Sequence, residues 1–344
     1  MKARIIIGAN YGDEGKGTVT AHYTKHAEGK VLNILTNGGS QRGHSILTED
    51  GSMTFQHFGS GTYYGADNYY SSFLILNPMQ FVREYNSLIV KPKHIYRNVN
   101  CLWTTPYDSI ANHISEEHRH ASCCMGIWNT IRRSKSIKLN FDTFIKTNSV
   151  QEMYLRTIKR FYEKEMFIPD DWKDIWESKY LISHFINDCI FMYRHTETSG
   201  LTRTNYDELI FENGQGLLLG DTGKDEYDKT PSCTGAKDAL CMLTEDDDIT
   251  LHYVTRPYLT RHGDGFFIED NVGVTEDRTN HYNEGQGEFK FGKLDINDLK
   301  DRIINDSNGL KFEIELTHCD EVDRVSSFKK VFDKVNIYDS ALIK

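Results

Sequence analysis

Short apolar runs rich in β-branched residues alternate along the chain with longer polar stretches, and most of the apolar runs end in a glycine-bearing loop. Arg4 to Ile7 reads as a buried first strand, and Thr18 to His26 as the helix after it. Val31 to Leu35 is predicted as a second strand that runs into Asn37-Gly38-Gly39. Phe73 to Leu76 reads as the third, closed by Asn77-Pro78 and followed by a helix from Met79 to Tyr85. The stretch from Phe141 to Arg203, dense in charged and aromatic residues, reads as helical. Leu209–Phe211, Ile249–Val254 and Phe312–Leu316 are further strands, each with a polar loop following. Strands alternating with helices predict the α/β class, with a central, mostly parallel sheet flanked by helices. Ligands of such sheets bind outside the carboxyl ends of the strands, so one rim is expected to collect the functional residues. No repeat, low-complexity tract or linker interrupts the pattern. Residues 1–344 are therefore expected to form a single domain with a helical insertion at roughly 141–203.

Composition narrows the class. At 344 residues, 38% hydrophobic and 26% charged, the chain is an ordinary globular sequence. A net charge of −10 argues against general affinity for nucleic acid or anionic membrane and leaves room for small anions at a local cationic site. The first strand is too short for a signal sequence, and no apolar run nears the roughly 20 residues of a membrane span. Seven cysteines without a CxxC pair predict reduced thiols and a cytoplasmic setting. Only 6 prolines against 19 tyrosines suggest an AT-rich coding genome, as in a virus or a low-GC bacterium; a viral protein would work in the host cytoplasm.

The chemistry concentrates in Gly12-Asp13-Glu14-Gly15-Lys16-Gly17, directly after the Ile5-Ile6-Ile7 strand. A glycine-rich turn with one lysine, leading into a helix, turns backbone N–H groups toward an anion. Alone it also reads as a tight turn, with Asp13 and Glu14 as ordinary helix-start acids. It departs from the Walker pattern because Lys16 is followed by Gly17 rather than Ser or Thr. An acid inside a phosphate cradle needs a reason, either a metal or a proton to remove, and Asp13 is that acid. His44, in the second glycine loop, supplies a possible proton donor; by itself it reads as a surface histidine. His113, His118 and His120 have a spacing that suggests metal binding, but on a polar helix they read as solvated. Arg132 and Arg133 could meet a phosphate, although such a pair usually faces solvent.

In these motifs the sequence resembles the adenylosuccinate synthetase family. The resemblance lies in the intact Gly12–Gly17 loop and in Gln41-Arg42-Gly43-His44-Ser45. It continues, in order, through Phe58-Gly59-Ser60-Gly61, Leu76-Asn77-Pro78, Thr105-Pro106-Tyr107-Asp108, Glu212-Asn213-Gly214-Gln215-Gly216, Thr260-Arg261-His262-Gly263-Asp264-Gly265 and Leu316-Thr317-His318-Cys319-Asp320. It implies a P-loop-type nucleotide fold and a purine-nucleotide ligase that forms a C–N bond, working as a homodimer. In that reaction O6 of a 6-oxopurine monophosphate is phosphorylated by GTP with Mg²⁺, and the amine of aspartate displaces the phosphate. Asp13, Lys16 and His44 would be catalytic, with Asp13 as the base at N1 of the purine. Gly12, Glu14, Gly15, Lys16, Gly17, Gly43, His44, Ser45 and Asp320 would bind the triphosphate, Asp320 on its guanine. Asp13, Gln41, Ser122, Cys123, Arg133, Gln215, Thr230, Thr234 and Arg261 would line the purine monophosphate. Asp13 and the Gly43 carbonyl would hold the metal, and Gly285, Gln286, Gly287 and Lys290 would form the amine-donor loop.

The departures change the expected substrates. The family grips its amino acid with arginines, yet Glu284 to Asp295 contains none. Loss of a bidentate guanidinium clamp removes the obvious receptor for two carboxylates. Either Lys290, Lys293 or Arg261 compensates, or the amine donor is not aspartate. Gln41 stands for a family asparagine and bulky Arg42 for its small neighbour. Little chain follows Asp320 relative to the long bacterial enzymes, so ATP or dATP stands beside GTP as donor. Short relatives include bacteriophage 2-aminoadenylosuccinate synthetases that use dGMP. Short length points toward dGMP, whereas the retained Asp13 points toward IMP or dIMP. A catalytically silent purine-nucleotide sensor is the non-enzymatic alternative.

Overall fold

The computed structural model describes residues 1–116, 122–220, 230, 232–263, 265–274, 276–277 and 287–340. Among the described residues, nine strands form one sheet in which every neighbouring pair is parallel. β1 (Lys2–Gly8) lies between β10 (Glu208–Gly216) and β11 (Asp248–Thr255). Beyond β10 come β2 (Val31–Leu35), β5 (Asp67–Tyr70), β7 (Ile95–Arg97) and β9 (Glu197–Thr198); beyond β11 come β14 (Phe312–Leu316) and β15 (Val335–Ile337). Ile5, Ile6 and Ile7 are all fully buried, as expected of a strand covered by helices on both faces. Three smaller two-stranded sheets pair β3 (His44–Thr48) with β4 (Gly51–Phe55), β6 (Ile75–Leu76) with β8 (Leu102–Trp103), and β12 (Leu259–His262) with β13 (Phe289–Gly292).

The third strand of the central sheet is therefore Asp67–Tyr70 rather than Phe73–Leu76, of which only Ile75–Leu76 is extended, in a separate small sheet. The Asp-Asn start of β5 hides it from a reading by apolar runs. Asn68 is tolerated inside because its carboxamide accepts the Gly59 N–H at 2.8 Å and donates to Thr62 Oγ1 at 2.8 Å.

Strand order explains where a ligand can sit. From β1 the chain works outward through β2, β5, β7 and β9, then returns to insert β10 between β1 and β2. It continues on the other side through β11, β14 and β15. The reversal opens a crevice at the carboxyl ends of β1, β10 and β11. Two main apolar clusters hold this frame. One joins β1, β10, β11 and β14 to Leu299 and Ile303 of α10 (Ile296–Ser307) and to Phe328 of α11 (Val325–Lys329). The other gathers α2 (Pro78–Ser87), α3 (Pro106–Glu116), α5 (Phe141–Lys146), α6 (Asn148–Glu165), α7 (Asp170–Glu177) and α8 (Lys179–His195) around Trp103, Phe144, Ile158, Trp176 and Phe185. The expected helical stretch thus runs as four consecutive helices to His195, after which Glu197–Thr198 joins the sheet edge. Among the described residues no helix is long and apolar enough to cross a membrane. All seven cysteines are free thiols.

Candidate active site

β1 runs into the loop that carries the first motif, and α1 (Lys16–Lys25) begins at its end. Gly12 and Gly15 have φ of +112° and +95°, a left-handed backbone that side chains rarely adopt. Gly15 is the N-cap of α1 and offers no side chain, so the first N–H groups of the helix stay available to an anion. Glu14, expected at the triphosphate, turns inward and is 2% exposed. Its carboxylate accepts the N–H groups of Asn10 (2.9 Å) and Gly12 (2.8 Å), which braces the loop from below. Lys16 is buried, with Nζ donating to the Gly12 carbonyl and 3.5 Å from Glu14 Oε2. A side chain at Gly17 would place Cβ 3.0 Å from both the Ser45 carbonyl and Ser60 Oγ. Close packing of α1 on β3 therefore accounts for glycine where a Walker loop has Ser or Thr.

The crevice above the loop is lined by Gly12, Asp13, Lys16, Gly43, His44, Ser45, Arg256, Thr317, His318 and Ser340. Asp13 sits at its wall. Burial raises the pKa of its carboxyl, opposed chiefly by His262, whose Nδ1 lies 4.0 Å away. Arg256, at the carboxyl end of β11, donates from Nε to the Asp13 carbonyl at 2.8 Å and pairs with Asp277. Thr317 Oγ1 donates to the Glu14 carbonyl at 2.6 Å, tying β14 to the same loop. Arg256 is absent from the sequence motifs, and Thr317 lies inside one without a role of its own. The signal that could have found them is position, since each directly follows a strand that ends on the functional rim.

His44 starts β3 with its Nδ1 2.5 Å from Glu212 Oε1. Glu212 is fully buried on β10, and Ser60 donates to it from N (2.9 Å) and Oγ (2.6 Å). Arg42 Nη2 lies 3.4 Å from the same carboxylate and 3.1 Å from His44 Nδ1. Despite burial, the contacts with His44, Arg42 and Ser60 hold the Glu212 carboxyl down to about 2. Burial, then Arg42, lowers the His44 imidazole to about 4, toward the neutral form. Arg42, the bulky replacement for a small residue, is buried with its guanidinium at Glu212 and His44. Glu212 and Ser60 lay inside quoted motifs but were not singled out.

The remaining expected residues divide by location. Gln215 ends β10 beside Gly12. Thr230 donates its N–H to the Leu219 carbonyl at 2.8 Å, and Thr234 packs against Gly220, so both lie near the end of β10. The Gln41 carboxamide folds over Gly38 and Gly39. Ser122 donates to Asn112 Oδ1 at 3.3 Å, and burial pushes the neighbouring Cys123 thiol up to about 11. Arg133 is neither solvated nor turned to the crevice. Its N–H groups meet Asp108, Tyr154 OH and the carbonyls of Trp103 and Ile137, which engages every donor a guanidinium has. Arg132, by contrast, is exposed and pairs with Glu165 at 3.0 Å. Arg261, on β12, donates to the Phe266 carbonyl at 3.0 Å and lies over the Tyr11 ring. Lys290 donates to the Gly263 carbonyl at 3.3 Å, and Lys293 pairs with Asp270 at 3.0 Å. Gly287 is left-handed at φ +75°, while Gly285 and Gln286 lie outside the described residues. Asp320 is at the crevice rim, accepting from N and Oγ of Ser340. Ser45 Oγ is 2.8 Å from Thr54 Oγ1. His113 is exposed near Trp172, and His118 and His120 lie outside the described residues.

Comparison with known proteins points the same way. The family profile described as adenylosuccinate synthetase matches residues 5–328. Adenylosuccinate synthetase of Exiguobacterium sp. is 23% identical over 80% of this chain and 67% of its own length. That of Halothermothrix orenii is 23% identical over 96% of this chain and 80% of its own. Among solved structures, the fully ligated adenylosuccinate synthetase of Plasmodium falciparum superposes with a TM-score of 0.70 at 20% identity, covering 94% of this chain and 78% of that one. Cyanophage S-2L succinoaminodeoxyadenylate synthetase, bound to dGMP and to dATP as an energy donor, gives 0.64 at 13% identity, covering 98% and 91%. The chain belongs to the adenylosuccinate synthetase family of nucleotide-dependent ligases that form a C–N bond.

Proposed function

We propose that this protein phosphorylates O6 of a 6-oxopurine monophosphate (IMP, dIMP or dGMP) with a nucleoside triphosphate and then joins the amine of aspartate to C6. The observation that carries this reading is Asp13, an acid inside a phosphate cradle, with its proton affinity raised by burial and Lys16 close by. The purine lactam oxygen is a poor nucleophile until N1–H is lost, and a carboxylate of raised affinity at the crevice wall is a fitting base. The N1 proton passes to Asp13, O6 attacks the γ-phosphorus, and the nucleoside diphosphate leaves. The amine nitrogen then attacks C6 and passes a proton to the phosphate, which departs with the former O6, and Asp13 returns its proton to solvent. Lys16 and the N–H groups at the start of α1 face the charge that develops during transfer. His44 joins them through Nε2; as a cation it would have to gain its proton along with the incoming phosphate charge, which favours the protonated form.

A divalent cation fits the donor set. The Asp13 carboxylate and the carbonyl of exposed Gly43 are hard oxygen donors on the crevice, and His262 Nδ1 stands 4.0 Å from Asp13. Mg²⁺ held there would neutralise triphosphate charge.

GTP is the family's donor. The phage relative adds dATP as donor and dGMP as acceptor to the pairs worth testing, since the chain spans most of its length. A second reading changes only the amine. The three cations expected to replace the missing arginines have partners within the protein: Lys290 at Gly263, Lys293 at Asp270 and Arg261 at Phe266. The deciding assay mixes the four monophosphates (IMP, dIMP, GMP, dGMP) with GTP, ATP or dATP, Mg²⁺ and an amino-acid panel, and identifies products by mass spectrometry. A succinyl purine nucleotide is expected; a different adduct selects the second reading. Failure to release phosphate in any combination, with Asp13→Ala binding nucleotides as wild type does, refutes both.

A further inference from the structure

We propose that Glu212 is the positioning residue for His44: its carboxylate, pinned by Arg42 and Ser60, fixes the imidazole as the Nδ1–H tautomer with Nε2 presented to the crevice. The kinetic part of this inference rests on the ligase reading, whereas the orientation does not. Nδ1 has two close neighbours, Glu212 Oε1 at 2.5 Å and Arg42 Nη2 at 3.1 Å. A bare Nδ1 would set its lone pair against a carboxylate oxygen at the shorter distance, so the proton belongs on Nδ1. The guanidinium, which can only donate, then pairs with Glu212. That leaves Nε2 as the functional end of the ring. It is buried with no hydrogen-bond partner among the described residues, and His44 lines the crevice beside Gly12 and Lys16.

The support is built on rigid elements. Glu212 lies in register with Ile6 of β1 and Leu35 of β2, in the middle of the sheet. Ser60 follows Gly59, whose N–H is held by Asn68, and a side chain at Gly59 would collide with Asn33. The carboxylate is therefore fixed by strand, turn and guanidinium together. An ion pair serving Arg42 alone would not require the imidazole at 2.5 Å. Buried ion pairs contribute little net stability over apolar packing, so stability does not account for this arrangement.

The test compares two double variants of the full chain. Arg42→Met/Glu212→Met removes both charges and the acceptor; Arg42→Met/Glu212→Gln removes both charges and keeps an acceptor for Nδ1–H. Long-range ¹H–¹⁵N spectra, with His44 assigned by its loss in His44→Asn, read the tautomer without substrate. Wild type should show a single Nδ1–H form. The Met/Met variant should mix tautomers and lose on the order of 100-fold in kcat, with KM for both nucleotides within about threefold. The Met/Gln variant should restore the tautomer and recover at least roughly tenfold of the lost rate. An unchanged tautomer in folded Met/Met protein, or two equally slow variants, overturns the inference. If Met/Met does not fold, Ser60→Ala decides it: an unaltered tautomer and kcat sink the proposal, and a loosened tautomer with slower turnover supports it. If wild type turns over no substrate, the spectra alone judge the tautomer, and the failure is that of the ligase reading.

Discussion

Acidification should destabilise this protein through His57, whose burial withholds a proton that the unfolded chain accepts. His57 is 1% exposed, its Nε2 accepts the Asn77 N–H at 2.9 Å, and its ring packs edge-on against Tyr70 and Phe81. Burial lowers its pKa from 6.5 to about 3. Below pH 6.5 the unfolded chain takes up a proton that the folded chain refuses until about pH 3, so stability falls as pH falls through that window. The linkage amounts to about 2 kcal/mol at pH 5 and about 3 kcal/mol at pH 4 relative to pH 8. Glu84, whose carboxyl burial raises to about 7, works with the opposite sign: its contribution is complete below pH 4.5 and is lost as pH rises through 7. A comparison of wild type with His57→Gln cancels Glu84 and isolates the imidazole. Urea unfolding at pH 8, 6, 5 and 4 should show wild type losing about 2 kcal/mol more than the variant between pH 8 and 5. Parallel pH dependences for the two proteins would refute the reasoning.

Three further outcomes are expected. Asp13→Asn keeps the shape of the crevice wall but cannot take a proton, so phosphate release should drop by about 10²–10⁴-fold while calorimetry still detects nucleotide binding; turnover near the wild-type rate would remove Asp13 as base. Arg133→Met strands the buried Asp108, which also accepts from Tyr162 OH at 2.7 Å, and should cost about 3–5 kcal/mol in thermal unfolding. Nucleotide KM should stay the same in the molecules that remain folded; a large rise would instead put Arg133 at the nucleotide. Gly17→Ala forces Cβ to within 3.0 Å of Ser45 and Ser60 and should lower stability by roughly 1–3 kcal/mol; an unchanged melting temperature would show that α1 can shift away from β3.

Elements that announce themselves by a continuous apolar run were legible in the sequence: Val31–Leu35 and Phe312–Leu316 match β2 and β14 residue for residue. β5 was not, because a strand that buries an asparagine looks like a turn until its hydrogen-bond partners are known. The glycine cradle was legible through composition and its place after β1. The inward turn of Glu14 was not, since motif spacing does not say which face of a loop a side chain takes. Arg42 and Arg133 were misjudged for a common reason. A buried arginine needs acceptors from several distant segments, here Glu212 for one and Asp108 with the Trp103 carbonyl for the other, and sequence proximity reveals none of them.

Among the acids around the crevice, Glu14, Glu212 and Asp13 are separated in role by their surroundings. Glu14 accepts two backbone N–H groups below the loop, so its charge is consumed in holding the turn. Glu212 sits among Arg42, His44 and Ser60, which hold its carboxyl down to about 2 and make it a permanent anion suited to orienting a neighbour. Asp13 combines burial with His262 Nδ1 no nearer than 4.0 Å, and its proton affinity rises instead of falling. Proton abstraction needs an acid whose affinity lies closer to neutrality, whereas orientation needs one that never titrates near it. Exchanging the two demands would fail on both counts: Glu212 could not accept a proton without releasing Arg42, and Asp13 could not pin a ring with so little holding it. The sheet enforces the separation, because Glu212 lies within a central strand while Asp13 stands on the loop beyond the end of β1, where the purine would arrive.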